Sequence, residues 1–554
     1  MEYLSSKRGA NWLVWFYRSI LIVGLTILLA RLVSLQVIEG NYYKSLAEGN
    51  RVREIVIEAP RGKIMARGGE ALANNRSVEK RIVFDPESGY TKTTDISDAA
   101  QQEIITEPKR YYTYGSSVAH ITGYLGEVDQ EEVGKVDAGC RQKGARKLGS
   151  LVGRSGLEQE YNCTLQGIDG EELVEVDSNG ERVRTLGSRP PVPGEDITTT
   201  IDINLQERIE QLMADKRGGV IVTDIQGEVL ALYSSPSFDP NSFLLDDEQV
   251  VDRYLSDNKL PLFNRVIGGQ YHPGSVVKPV VATAALEEGV IDENFTYEDK
   301  GSITIDTAYG EFTYNNWYFT QYGSTEGKID VTRAIARSTD TFFYTIGELL
   351  GIEKIVGWMN KFGLGGKTNI DIPGEVAGFV PSPAWKKRVK GERWFLGNTY
   401  HISIGQGDLA VNIAGINRAI SAIASGGKLC NFYLVSGYNA KASQDCRDLK
   451  VDSGNLNLVR DGMIGACSPG GTAFPFFDAP TPVACKTGTA ETNDEDKTHA
   501  WLAFFAPVDF PEIVVTVMVE EGGEGSDVAG PIARDIYNYW FKLESEEDVQ
   551  GEGQ

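Results

Sequence analysis

Residues 271–288 read YHPGSVVKPVVATAALEE, a turn followed by an apolar run of helix formers. Pro273-Gly274 makes the turn, and Pro279 limits where the helix can start. A proline inside a helix removes a hydrogen bond and clashes with the preceding turn. It is tolerated in the first turn, where backbone N–H groups lack helical partners anyway. The helix is therefore expected to begin at or close to Ser275 and to run to Glu288. That puts the Ser275 hydroxyl at the positive end of the helix dipole. Lys278, three residues on, shares its face. A lysine desolvated there can lose its proton and activate the serine. Taken alone, however, Ser-x-x-Lys more often marks a helix cap beside a surface lysine.

The flanking sequence sets the fold class. Gly219–Tyr233 reads as two strands around the turn Ile225-Gln226-Gly227, after a helix at Leu205–Ala214. Helical spacing recurs at Val331–Leu350, Ile352–Phe362 and Val411–Ser425. A hairpin, Ala500–Ala506 with Glu512–Glu520, precedes a helix at Pro531–Lys542 whose Ile532, Ile536 and Trp540 share a face. Strands first, helices in the middle and strands last predict an α+β fold with an antiparallel sheet built from distant parts of the chain. Upstream, Tyr43–Thr200 carries short β-like runs such as Arg53–Ile57 and Glu171–Val176, and closes on the stiff turn Pro190–Gly194.

Trp12–Ala30 is apolar except for Arg18, and Arg31, Leu32 and Val33 continue it in helical register. About 20 such residues cross a bilayer, whereas the core of a cleaved signal is only about 7–15 residues long. A retained signal-anchor is expected over 11–34. Lys7 and Arg8 keep residues 1–10 in the cytoplasm and send the rest outside. With 54 Lys+Arg against 78 Asp+Glu the net charge is −24, which excludes nucleic acid as the main partner. The four His are scattered, and the six Cys form no CxxC pair, so a zinc ribbon is not indicated. Outside the cytoplasm disulfides are permitted. Cys140 with Cys163 and Cys430 with Cys446 are candidate pairs by proximity, with unpaired burial an equal alternative. Cys485 reads as packing.

Two further motifs give Ser275 and Lys278 a context. Ser338-Thr339-Asp340 follows the helical run Val331–Arg337; the bland reading is an Asp capping a helix. Lys486-Thr487-Gly488-Thr489 lies in a β-like stretch. Alternation puts Thr487 and Thr489 on one face, and Gly488 admits another backbone. An edge strand of this kind suits an extended peptide added alongside it, although a surface strand with a glycine bulge fits too. Three weak motifs in this order are together specific.

The trio resembles the Ser-x-x-Lys, Ser-x-Asp/Asn and Lys-Thr-Gly set of penicillin-binding proteins and serine β-lactamases. The resemblance runs along nearly the whole chain and is to class B penicillin-binding proteins. It includes Ala59–Ile64 with Leu72-Ala73 and Asn75, Arg110-Tyr111-Tyr112, Ala119–Tyr124, Gly153–Glu158, Gly405-Gln406-Gly407 and His499-Ala500-Trp501. Asp340, the block Ile372-Pro373-Gly374-Glu375, Trp385-Lys386 and Trp394 are most similar to the elongation subgroup, penicillin-binding protein 2. Two features depart from the family: Ala66 where an Asp is usual, and Gly323–Gly327 where His-Gly is usual.

The resemblance implies an anchor over 11–34, an extended β-rich pedestal (dimerisation-like) domain over 35–196, a transpeptidase domain over 197–542 and an acidic tail over 543–554. It implies a DD-transpeptidase of the plasma membrane, single-pass with its catalytic domain extracytoplasmic or periplasmic. The enzyme would cross-link peptidoglycan stem peptides during elongation and be trapped by β-lactams. Its Ser275 would be the nucleophile, with Lys278, Ser338, Asp340 and Lys486 as catalytic partners and Thr487, Gly488 and Thr489 binding the donor. The donor is a D-Ala-D-Ala peptide, the acceptor an amine, and a membrane-embedded glycan polymerase the expected partner. No cofactor and no metal are implied; residues 279–337 hold neither Cys nor His for a zinc site. The rival readings are a β-lactam sensor or β-lactamase and a catalytically idle scaffold for the polymerase.

Overall fold

The computed structural model describes residues 11–85, 89–96, 104–177, 182–245, 247–307, 310–437, 445–492, 494 and 496–543. The cytoplasmic tail expected over 1–10 and all but the first residue of the acidic tail lie outside these. By packing, the chain divides into two units that interleave in sequence. One comprises Met1–Pro60, Arg76–Lys109 and Gly167–Pro193, and the other Arg61–Asn75, Arg110–Gln166 and Gly194–Gln554.

The first unit begins with α1 (Asn11–Val33), which has 23 residues and no acidic group. At 1.5 Å per residue it is about 35 Å long, enough to cross the hydrocarbon core. The apolar helical stretch runs from Trp12 to Ile38, and its hydrophobic side chains are exposed. A three-stranded antiparallel sheet follows, β1 (Val52–Ile57), β2 (Gly170–Val176) and β3 (Arg182–Arg189), with β2 in the centre. Ile55, Val174 and Val176 make a small core. Beside them Glu175 is buried and paired with Arg51 and Arg184.

The second unit is organised on a five-stranded antiparallel sheet. In chain order α2 (Ile203–Met213) is followed by β4 (Gly218–Thr223), β5 (Val229–Ser235), α3 (Lys278–Glu287), α4 (Val331–Arg337) and α5 (Asp340–Leu350). Then come α6 (Ile413–Ala424), α7 (Ser453–Ala466), β6 (Ala484–Glu491), β7 (Thr498–Ala506), β8 (Ile513–Val519) and α8 (Gly530–Trp540). The sheet order is β5-β4-β8-β7-β6. Alternation decides which side each residue serves. Trp501, Ala503 and Phe505 of β7 join one core with Val266, Ile413 and Ile416. Ala500, Leu502, Phe504 and Ala506 join the other, with Leu205, Ile209, Ile532 and Ile536 of α2 and α8. Both faces are covered, so β4, β5 and β8 are buried throughout.

The helix α6 is buried along its whole length, and its Asn417 and Arg418 are both hydrogen-bonded. Asn417 accepts from the Thr223 hydroxyl (2.7 Å) and donates to the Val514 carbonyl (3.0 Å). Unmatched, each such buried group would cost about 1–3 kcal/mol.

Two helix expectations are corrected. Regular α-helix starts at Lys278, because Gly274–Val277 form a 3₁₀ turn that ends where the Lys278 N–H bonds the Ser275 carbonyl. Pro279 therefore sits in the first turn of α3. The run Val331–Leu350 is broken, because Ser338 adopts a left-handed conformation (φ 56°) that ends α4, and Thr339 caps α5.

The six cysteines form three disulfides, Cys140–Cys163, Cys430–Cys446 and Cys467–Cys485. The first two are the pairs that proximity suggested. The third corrects the reading of Cys485 as simple packing: alternation turns it away from the Lys486 face, onto Cys467 at the end of α7. The bridges close loops of 23, 16 and 18 residues. Loop-closure entropy puts each at about 3 kcal/mol. Denaturant midpoints should therefore fall in reductant; an unchanged midpoint would mean that the thiols are unpaired.

Candidate active site

The site forms where the 3₁₀ turn before α3, the break between α4 and α5, and strand β6 meet. Gly274 has φ +57°, which turns the chain sharply into Ser275. A side chain at Gly274 would lie 2.9 Å from the Thr489 carbonyl, so the turn sits directly on β6. Hydrogen bonds of 2.9 Å in both directions between Tyr271 and Val411 anchor its start, and Gly274 N–H bonds the Gly405 carbonyl (2.9 Å). The Ser275 side chain is partly exposed, whereas both neighbouring valines are buried.

One helical turn on, Lys278 is fully buried. Its ammonium donates to the Ser338 hydroxyl (3.1 Å), the Ser338 carbonyl (2.8 Å) and Asp340 Oδ1 (2.6 Å). The left-handed Ser338 allows this convergence, since it offers carbonyl and hydroxyl to one donor. Burial lowers the Lys278 pKa from 10.5, and Asp340 pulls it partly back. Asp340 is held in turn: its Oδ2 accepts the Trp317 N–H (3.0 Å), and its own N–H bonds Asn316 Oδ1 (3.1 Å). Asn316 is fixed by Asp299, which also accepts from the Thr341 hydroxyl (2.7 Å). No motif flagged Asp299, Asn316 or Trp317, because their work is to orient a neighbour.

Lys486 is also fully buried. Its pKa falls well below 10.5 through burial and repulsion from Lys278, opposed by Asp340. Two adjacent buried ammoniums are unfavourable, so the pocket favours loss of a proton or arrival of an anion. The Lys486 ammonium donates to the Thr487 carbonyl (2.9 Å), and alternation along β6 puts Thr487 and Thr489 on one face. The Thr487 hydroxyl bonds that of Thr472 (2.7 Å), and the Thr489 hydroxyl donates to Glu524 (2.7 Å). Neither partner was visible in the motif. β6 is the outer strand of its sheet, and no strand among the described residues pairs its edge away from β7, the arrangement that addition of a peptide strand uses.

Gly488 brings turn and strand together. A Cβ there would lie 3.0 Å from Val276 Cγ1, 3.1 Å from the Pro273 carbonyl and 3.2 Å from Trp501 Cβ. Gly488→Ala should therefore destabilise the fold by about 1–3 kcal/mol, read as a lower Tm. An unchanged Tm would mean that the turn is looser than this packing.

The structure thus brings together Lys278, Ser338, Asp340 and Lys486, and sets Ser275, Thr487, Gly488 and Thr489 along the same turn-to-strand contact. Ser275 lies in the turn that leads directly into Lys278, whose ammonium bonds Ser338 and Asp340 and, among the described residues, not Ser275. A serine in that turn, a buried lysine of depressed pKa and an edge strand together suit acyl transfer through a covalent intermediate.

Comparison with known proteins agrees with that chemistry. Residues 218–538 match the penicillin-binding protein transpeptidase domain, and residues 97–199 the penicillin-binding protein dimerisation domain. The peptidoglycan D,D-transpeptidase MrdA of Escherichia coli K12 is 31% identical over 98% of this chain and 95% of its own. The penicillin-binding protein PBP2 of Helicobacter pylori, solved in complex with MreC, aligns with a TM-score of 0.75. It is 27% identical and covers 89% of this chain and 99% of that one. A chain from a peptidoglycan synthase complex that coordinates polymerization and crosslinking also aligns with a TM-score of 0.75. It is 27% identical and covers 98% of this chain and 100% of that one.

Proposed function

The chain belongs to the penicillin-binding protein transpeptidase family and is a peptidoglycan D,D-transpeptidase, and from that premise we propose how its residues divide the reaction. Ser275 Oγ attacks the penultimate D-Ala carbonyl of a stem peptide. Its proton passes to Lys278 in its neutral form, which burial favours and Asp340 opposes. The backbone N–H groups of Ser275 and Thr489 hold the developing oxyanion; losing one such donor costs about 10²–10³ in rate. The C–N bond to the terminal D-Ala then breaks, and Ser338 relays a proton to the leaving amine. An acyl-ester on Ser275 remains. The amine of a second stem peptide attacks it, the ester bond breaks, and Ser275 regains its proton.

Asp340 holds Lys278 and Ser338 in register. Lys486 favours the anionic end of the donor, and Thr487 and Thr489 bind its terminal carboxylate along β6. The observation that carries this reading is the buried Lys278 amine nitrogen. It is bonded at once to Ser338 and Asp340, one turn after Ser275. β-Lactams acylate the same serine.

Within the chain, 11–34 acts as the anchor, 35–196 as the pedestal and 197–542 as the catalytic domain. The N-terminus stays in the cytoplasm and the bulk of the chain outside it, in line with Lys7 and Arg8 and with three disulfides suited to an oxidising compartment. The enzyme serves cell elongation beside a membrane-embedded glycan polymerase; the likeness to a chain of a synthase complex supports that partnership.

The test is donor turnover. A pentapeptide stem ending in D-Ala-D-Ala should release one D-Ala for each labelled acceptor amine incorporated. Lactam labelling without D-Ala release would instead favour a sensor or scaffold.

A further inference from the structure

Thr489 carries an occupant that its proposed role does not explain. Its hydroxyl donates to Glu524 Oε2 (2.7 Å) and accepts from the Gly525 N–H (3.3 Å). A hydroxyl has one hydrogen to give, and here it goes to a carboxylate belonging to the protein. Glu524 is exposed, and no ion pair neutralises it among the described residues.

Its place is set by the backbone on both sides. Gly523 N–H bonds the Thr498 carbonyl (3.1 Å), and the Thr498 hydroxyl donates back to the Gly523 carbonyl (3.0 Å). On the other side, Gly525 is pressed so closely on the sheet that a Cβ there would lie 2.4 Å from the carbonyls of Gly488 and Trp501. A residue between two such anchors presents its carboxylate to Thr489 by construction.

We propose that Glu524 is a specificity-determining residue of this site, a built-in carboxylate that competes with the ligand's terminal carboxylate for the Thr489 hydroxyl. The inference rests on the reading of Thr489 as part of the carboxylate subsite. A donor or penicillin must displace Glu524 and take the hydrogen it holds, against like-charge repulsion. The residue thereby raises the concentration of anionic ligand needed to acylate Ser275. It tunes the first encounter and leaves the later steps to the catalytic groups.

The test uses the full chain in detergent with a fluorescent penicillin, comparing wild type, Glu524→Gln and Glu524→Ala. Glu524 is exposed, and glutamine keeps its shape, so folding is not at stake. Acylation, measured as a second-order rate constant, should rise about 5-fold in Glu524→Gln, the effect of removing one partly screened like charge. It should rise further in Glu524→Ala, because a glutamine amide oxygen still accepts the Thr489 hydrogen. Added salt should speed wild type more than either variant, a response that a purely structural role would not alter. Labelling of all three proteins at equal rates, with equal salt response, would overturn this inference alone. No label on any of them would overturn the active-serine reading as well.

Discussion

Lys278→Ala should lower the acylation rate of Ser275 by about 10³-fold, the usual range for losing a positioned base being 10²–10⁴. The lysine is wholly buried, and its ammonium holds Ser338 and Asp340 together. Removing it leaves the Asp340 carboxylate without its cation, a loss that typically costs 3–5 kcal/mol. Activity and stability would therefore fall together in the single variant. The double variant Lys278→Ala with Asp340→Asn separates them: removing both charges should restore most of the Tm and none of the activity. In wild type, acylation should rise with pH as Lys278 loses its proton, through a range lying below its ordinary 10.5 because burial disfavours the charged form. The unfolded chain binds that proton more tightly, so this residue's contribution makes the fold more stable as pH rises through the same range. Wild-type acylation that is flat with pH would argue against Lys278 as the base.

Glu158→Ala should remove about 3–5 kcal/mol from the second unit, the usual cost of breaking a buried ion pair from one side. Glu158 is fully buried between two guanidiniums, Arg61 Nε at 2.6 Å and Arg110 Nε at 2.7 Å. Arg110 also bonds the Gly62 carbonyl (2.7 Å), and Arg61 bonds Asn162 (2.9 Å), so the carboxylate ties three stretches of chain. Burial alone would raise its pKa, but the two arginines hold it below 4.5. An acid whose folded pKa is depressed contributes stability above its unfolded pKa and loses it as pH falls through the folded one. Wild type should therefore begin to lose this contribution only below about pH 4.5. Glu158→Ala should be destabilised already at neutral pH and lack that part of the acid transition. Equal Tm values at pH 7 would show that the cluster contributes nothing.

The legible features were those repeated along the chain. The apolar run Ala500–Ala506 reads as one arm of a hairpin, and the structure sends its odd and even residues to two different cores. The motif residues were readable because each brings its chemistry with it: a hydroxyl, an amine, a glycine that admits a backbone. What periodicity could not show were local breaks. Ser338 interrupts a run that reads as one helix, since a left-handed residue leaves no mark on hydrophobic spacing. Ser275 lies in a 3₁₀ turn because Gly274 and the β6 contact dictate its geometry. Long-range partners were also hidden. Cys467 is 18 residues from Cys485, and Thr472 and Glu524 reach β6 from loops with no recognisable pattern. Asp299 stands 41 residues before Asp340 (340 − 299) and reaches it through Asn316 and Thr341. The interleaving of the two packing units is likewise a property of folded contacts, which a linear division cannot express.

Every other residue's role in this mechanism depends on Ser275 being the acylated nucleophile. The most direct measurement labels the full chain and its Ser275→Ala variant with a fluorescent penicillin and maps the adduct by peptide mass spectrometry. One adduct per chain is expected, on the peptide carrying Ser275, stable for many minutes and absent from the variant with its Tm unchanged. An adduct that persists in Ser275→Ala, or a folded wild-type chain that takes no label, would contradict that role.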